Sequence, residues 1–137
     1  MILSVDDLHF SYGETPILKN ISLSVKNQEM VMILGPNGSG KTTLLRCLNG
    51  INRPQKGTIT LEDKNMRRMS GREIARRIGY VPQSSEKVRL TAFDAILLGR
   101  RPYVGWRLAE SDIMKVDAII HTLGLDELAL RYLDEMS

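Results

Sequence analysis

One stretch limits the fold more than any other. It is Gly35-Pro36-Asn37-Gly38-Ser39-Gly40-Lys41-Thr42-Thr43, which fits G-x-x-x-x-G-K-[ST] at Gly35, Gly40, Lys41 and Thr42. The pattern carries meaning only between a strand and a helix, and the flanks predict both. Met30-Val31-Met32-Ile33-Leu34 is a continuous apolar run of strand length, the pattern of a strand buried on both faces. Thr42 to Asn49 places leucines at helical spacing, and Gly50 follows as a stop. Glycines let a backbone turn so that successive N–H groups point inward at phosphate oxygens. The start of the helix adds unpaired N–H donors and the positive end of its dipole. Residues 35–43 are therefore the candidate phosphate cradle, with Lys41 able to reach β and γ phosphates and the Thr42 hydroxyl able to bind Mg²⁺.

At 137 residues the chain has one domain's worth of length and room for a core. A net charge of +3 is too small to argue for nucleic acid unless it is clustered. The single cysteine, Cys47, excludes an internal disulfide and sits on the apolar side of the first helix, as buried filler does. His9 and His121 lack neighbours at ligand spacing, so no structural metal site is expected. No 18-residue apolar run occurs, and the N-terminus has no basic segment leading into an apolar one. A cytoplasmic chain is the expectation.

Along the chain, Met1 to Phe10 reads as a strand, Ser11 to Pro16 as a turn cluster, and Ile21, Leu23 and Val25 as a strand with one wet face. An antiparallel start followed by a buried strand suggests a mixed sheet. Ile51 to Gly57 is a loop, Thr58 to Glu62 a short strand, and Asp63 to Met69 a polar, basic surface segment. Ser70-Gly71-Arg72-Glu73 is a capping box that opens a short helix. Ile78 to Pro82 reads as a strand that ends at Gln83, since proline fits only a strand end. Ser84 to Leu90 is a loop. Thr91 and Asp94 have cap spacing before a helix running to Gly99. Ser111 is the expected cap of a longer helix with Ile113, Val116, Ile119, Ile120 and Leu123 on one stripe, ended by Gly124. Asp126 opens a last short helix. Strands thus fill residues 1–83, and helices fill 84–137.

Other residues have chemistry to offer. Tyr12, in a turn beside Gly13, is either an ordinary turn tyrosine or a ring that stacks on a purine. Gln83, at a strand end, can ligate Mg²⁺ or orient water if its strand lies beside the phosphate strand. Arg67, Arg68, Arg72, Arg76 and Arg77 read as a solvated helix face. Arg100, Arg101 and Arg107 interleave with Tyr103 and Trp106, an interface composition.

Taken together, these residues resemble the nucleotide-binding subunit of an ABC transporter. The segments "Leu-His-Phe-Ser-Tyr-Gly", "Gly-Pro-Asn-Gly-Ser-Gly-Lys-Thr-Thr-Leu-Leu" and "Ile-Gly-Tyr-Val-Pro-Gln" occur in that family's order and spacing. The resemblance implies an α/β phosphate-loop NTPase of ABC ATPase type. Residues 1–83 would be the ATP-binding core, a mixed sheet around the phosphate strand and helix plus an antiparallel β subdomain, with the phosphate loop and the Gln83 loop; residues 84–137 would be an incomplete helical subdomain. It implies that Tyr12 stacks on adenine. Gln83 would be the glutamine that senses the γ-phosphate, ligates Mg²⁺ and touches the membrane partner. Lys41 and Gln83 are then the catalytic candidates, and Thr42 and Gln83 the metal candidates. The segments "Leu-Leu-Gly-Arg-Arg-Pro-Tyr" and "Tyr-Leu-Asp-Glu-Met-Ser" resemble importers of iron-siderophores, haem or cobalamin.

The expected cofactors are ATP and Mg²⁺. The expected partners are a transmembrane permease, through which alone the chain would touch the inner face of the membrane, and a second ATP-binding subunit paired head to tail. No nucleic acid is expected. Ser137 would open the family's Ser-Gly-Gly signature, and no run of four apolar residues followed by Asp-Glu occurs. The resemblance thus covers the N-terminal portion of the family domain, which is expected to bind nucleotide without turning it over. With the family's flanking strands absent, the Met30–Leu34 run is expected to present an unpaired apolar edge. Two other classes compete: another phosphate-loop NTPase, kinase or GTPase, and a non-catalytic ATP-binding interaction module. A GTPase needs Asn-Lys-x-Asp, and Asp63-Lys64-Asn65 has the wrong order.

Overall fold

The computed structural model describes residues 1–83 and 89–136. Most of the loop expected over 84–90, and Ser137, lie outside the described residues. The chain separates into two compact units, Met1–Tyr80 and Val81–Ser137.

The first unit is built on a four-stranded antiparallel sheet. Its strands are β1 (Leu3–Tyr12), β2 (Thr15–Val25), β3 (Lys56–Leu61) and β4 (Lys64–Asn65), in the order β2-β1-β3-β4. The turn between β1 and β2 is tighter than Ser11 to Pro16 suggests, because Tyr12 already pairs with Thr15. On the core side of β1 lie Val5, Leu8 and Phe10. Val5 and Leu8 are three apart, so strict alternation would put them on opposite faces. An irregularity at Asp6–Asp7 resets the count: Asp7 adopts φ +44°, and the pairing with β2 and β3 shifts register there. The Asp7 carboxylate accepts from His9 Nε2 at 2.8 Å and pairs with Lys56 Nζ at 3.3 Å. These two partners hold its carboxyl below the usual range, His9 more strongly. Gly57 backs onto this bulge with φ +89°, and a Cβ on it would meet the Asp6 carbonyl oxygen at 2.6 Å.

Helix α1 (Lys41–Leu48) packs on the sheet through Leu44 and Cys47, which join Leu8, Phe10, Leu18, Ile59 and Leu61 in one core cluster. The segment read as polar surface, Asp63 to Met69, holds β4 and a 3₁₀ turn over Met66–Arg68, and buries Met66 and Met69. Helix α2 (Gly71–Ala75) opens on the expected capping box. The Ser70 hydroxyl accepts from Glu73 N–H at 3.2 Å, and Glu73 Oε2 accepts from Ser70 N–H at 2.8 Å.

Two expected strands are not there. Met30 to Leu34 and Ile78 to Pro82 make no ladder among the described residues. Met30 is 90% exposed, Leu34 85% and Val81 92%. The α/β class stands, but every strand pair described is antiparallel, and no mixed sheet forms around the phosphate segment. The reason is non-local. An apolar run becomes a strand only when a neighbour accepts and donates along it, and no described residue does so here. The run is exposed at Met30, Val31, Met32 and Leu34, but it is not a strand, so it offers no strand edge of the kind expected.

In the second unit, α3 (Ala92–Leu98) starts on a capping box between Thr91 and Asp94. Helix α4 (Glu110–Thr122) starts two residues earlier than expected, with Ala109 rather than Ser111 at the cap position. Ser111 lies inside it, and the Asp112 carboxylate accepts from Ala109 N–H at 3.4 Å instead. Only Val116 and Ile120 of the predicted stripe are buried, with Ile113, Ile119 and Leu123 exposed. Asp126 begins a 3₁₀ turn, Asp126–Leu128, but caps nothing with its side chain. It pairs with His121 Nδ1 at 3.2 Å. Arg100 ties the α3 end to α4, donating from Nε and Nη2 to Asp112 Oδ1 at 3.1 and 2.9 Å. The same guanidinium lies 4.6 Å from the Tyr103 ring centroid.

Gly57→Ala is expected to destabilise the chain by roughly 2–3 kcal/mol in urea unfolding, through strain and the bulge contact. Gly71→Ala, in open space with ordinary φ, is expected to stay within about 0.5 kcal/mol of wild type. The Arg100 guanidinium, chiefly, holds the Asp112 carboxyl below its usual range. That stabilisation is complete above the ordinary aspartate value of about 4 and is lost as the pH falls through the lowered native value. The urea midpoint of wild type is therefore expected to fall more steeply below about pH 4 than that of Asp112→Asn.

Candidate functional site

Helix α1 carries the site. Gly40 precedes it in the left-handed region at φ +90°. A Cβ there would lie 3.1 Å from both Ile17 Cγ2 and Leu18 Cδ2 on β2. Glycine is what lets the turn run this close to the sheet. No side chain caps α1, and its first turn holds no acidic residue. Within the described residues, then, no carboxylate competes with an anion for the amides of Lys41, Thr42 and Thr43. The first helical bond, Leu44 N–H to the Gly40 carbonyl, is 2.8 Å.

Lys41 closes the loop in front of the helix. Its Nζ donates to the carbonyls of Gly35 at 2.7 Å and Pro36 at 2.6 Å. Ser39 N–H also donates to the Pro36 carbonyl, at 3.3 Å. The ammonium therefore stands across the mouth of residues 35–40, satisfied by two neutral acceptors that an ionised phosphate oxygen outmatches. Pro36, Asn37, Gly38 and Ser39 are exposed, as is Thr42 in the first turn. Thr43 is buried. The residue types, the bare helix start and the stationed cation fit a polyphosphate and the divalent cation that travels with it.

The structure brings Tyr12 to this helix. The Phe10 ring meets it edge-on, with centroids 4.9 Å apart and planes at 87°. Its hydroxyl accepts from Asn52 Nδ2 at 3.0 Å. Hydrogen bonding to Asn52, then to Thr43, pulls the Tyr12 phenol below its ordinary value. Bonding to Tyr12 and then Tyr80 raises the Arg46 guanidinium. Sequence gave no sign of Asn52 or Arg46, since Asn52 is 40 positions from Tyr12. Gln83 is exposed and belongs to the second unit.

The basic residues divide. Arg67 Nη2 donates to the Pro54 carbonyl at 2.9 Å and Arg77 Nε to Glu62 Oε2 at 3.0 Å, while both residues stay exposed, as a solvated face requires. Arg100 is committed to Asp112, whereas Trp106 is fully exposed.

A glycine turn, an uncapped helix start and a lysine across the turn make an arrangement that fits a phosphate group. The ABC transporter family model matches residues 18–137, and the chain belongs to that family. It is 44% identical over 137 residues to an uncharacterized ABC transporter ATP-binding protein of Methanocaldococcus jannaschii, covering 100% of this chain and 54% of that protein. It is 35% identical over 130 residues to the phosphonates import ATP-binding protein PhnC 1 of Rhodopseudomonas palustris (88% and 46% covered). With the petrobactin import ATP-binding protein FpuC of Bacillus anthracis it shares 30% over 139 residues (99% and 51%). A solved nucleotide-free ATP-binding cassette from an ABC transporter superposes with TM-score 0.82 at 26% identity, over 99% of this chain and 59% of that one. A metal-chelate type ABC transporter in an inward-facing conformation gives 0.75 at 28% identity, over 99% and 50%. The chain spans about half the length of the curated relatives it matches. No helix among the described residues is long and apolar enough to cross a membrane.

Cys47, one turn beyond Thr43, is buried, and burial pushes its thiol from 9.0 up to about 11. Labelling by a water-soluble disulfide reagent at pH 8 is expected to run about a hundredfold slower in the native chain than in urea, since two pH units separate the thiolate populations.

Proposed function

We propose that this chain is the ATP-gripping portion of the ATP-binding subunit of an importer. The single observation behind this is the Lys41 ammonium held at 2.7 and 2.6 Å by the carbonyls of its own loop, in front of an uncapped helix start. In this proposal Lys41 and the amides of residues 38–43 bind the β and γ phosphates. The Thr42 hydroxyl holds Mg²⁺, which neutralises phosphate charge when bound. Tyr12 lies against the base. Gln83 and the Arg100–Trp106 stretch face a transmembrane permease, and a second subunit packs head to tail over the nucleotide. The complete protein hydrolyses ATP to drive transport, seated on the inner face of the membrane through its permease.

The proposed cargo is a metal chelate: iron-siderophore, haem or cobalamin. Support comes from the likeness to FpuC, named for petrobactin import, and to the metal-chelate type transporter. Family membership disfavours the kinase and GTPase alternatives. For the 137 residues alone, binding without turnover is the proposal, because no apolar strand ending in Asp-Glu supplies a base for water.

Calorimetric titration with MgATP and with magnesium tripolyphosphate tests this. Lys41→Ala is expected to weaken both by about tenfold or more. Tyr12→Ala is expected to weaken ATP alone, by about tenfold. Phosphate release by the wild-type chain should stay at background. Equal affinities in wild type and Lys41→Ala would sink the proposal.

A further inference from the structure

Tyr12 is gripped at both ends of its side chain. At its base, at the end of β1, the ring edge meets Phe10, which is itself buried in the sheet core. At its tip, the hydroxyl accepts from Asn52 Nδ2 at 3.0 Å. Asn52 has no freedom of its own to lend. Its N–H donates to the Arg46 carbonyl at 2.9 Å, inside the last turn of α1. The intervening turn is closed by Gly50 N–H to the Cys47 carbonyl at 3.1 Å and by Ile51 N–H to Asn49 Oδ1 at 3.2 Å. Asn52 is thus a rigid extension of the C-terminal end of α1, and the N-terminal end of that helix is where Lys41 and Thr42 stand.

We infer that Asn52 is a positioning residue: it locks the Tyr12 ring to helix α1, so that one rigid helix fixes both the phosphate cradle and the aromatic platform. The inference rests on the nucleotide reading given above and adds to it the part that sets the ring. Asn52 donates to the hydroxyl at 3.0 Å, with Thr43 and Arg46 of α1 also bonding to it; losing Asn52 removes one of these holds and loosens the ring about its two side-chain torsions, half in solvent as it is. A ligand would then have to order the ring on binding, which lowers affinity without touching any contact to phosphate. The tether also commits the hydroxyl to the protein. The platform then offers its π-face to a base rather than a hydrogen bond. The lowered Tyr12 phenol agrees with a hydroxyl already engaged.

The test is a double-mutant cycle on the full 137-residue chain, read by calorimetry with two probes, MgATP and magnesium tripolyphosphate, which has no base. Asn52→Ala is expected to weaken MgATP by about five- to tenfold, the worth of one hydrogen bond, and to leave tripolyphosphate within about twofold. Tyr12→Phe, which keeps the ring and loses the hydroxyl, should show the same pattern. Asn52→Ala added to Tyr12→Phe should change nothing further, beyond about twofold. The inference is overturned if Asn52→Ala leaves ATP affinity unchanged. It is also overturned if both probes weaken together, which is what damage to α1 would do, or if the two substitutions add in full. A wild-type chain that binds neither probe would instead bring down the nucleotide reading itself.

Discussion

The contact on which the rest depends is the apolar one between α1 and the face of the antiparallel sheet. An eight-residue helix does not persist in water alone, because nucleation costs more than so few hydrogen bonds return. Leu44 and Cys47 settle against Leu8, Phe10, Leu18 and Ile59, and a well-buried leucine contributes about 2 kcal/mol. With the helix pinned by its buried side, its N-terminus has a fixed place, and Gly40 passes close over β2 to reach it. The cradle is a consequence of that packing and not an independent loop. This is why Lys41 can be held by two carbonyls of its own turn and still point across an exposed mouth.

The sheet face that receives α1 exists only because β1 miscounts. Val5 and Leu8 reach the same side through one left-handed residue, Asp7, whose carboxylate is anchored to His9 and Lys56. Gly57 leaves room for the displaced carbonyls. Bulge, glycine and ion pair form one device, and its output is a continuous apolar floor under α1.

How much of this was legible in the chain depended on range. The turn before α1, α1 itself, both Ser/Thr capping boxes and the buried Cys47 are local, written in residues a turn or less apart, and they appear where spacing puts them. Strand identity is not local. Met30–Leu34 and Ile78–Pro82 have the composition of buried strands, yet a ladder needs a neighbour that no property of the run itself supplies. The Asp7 bulge is hidden for a similar reason: Leu8 reads as out of phase until the register shift is seen. The Asn52 contact to Tyr12 crosses 40 positions and leaves no pattern at either end. At the start of α4, Asp112 bonds both the Ala109 N–H and Arg100, the latter a partner outside any capping motif.

The unpaired run also has a physical direction. Its main-chain N–H and C=O groups lack ladder partners among the described residues, and Met30, Met32 and Leu34 meet water. Covering apolar side chains and pairing main-chain groups both favour addition of strands along this segment, so it is a template for association. The segment leads directly into Gly35, whose carbonyl holds Lys41. A strand pairing along Met30–Leu34 would thus order the residues that lead into the Lys41 turn.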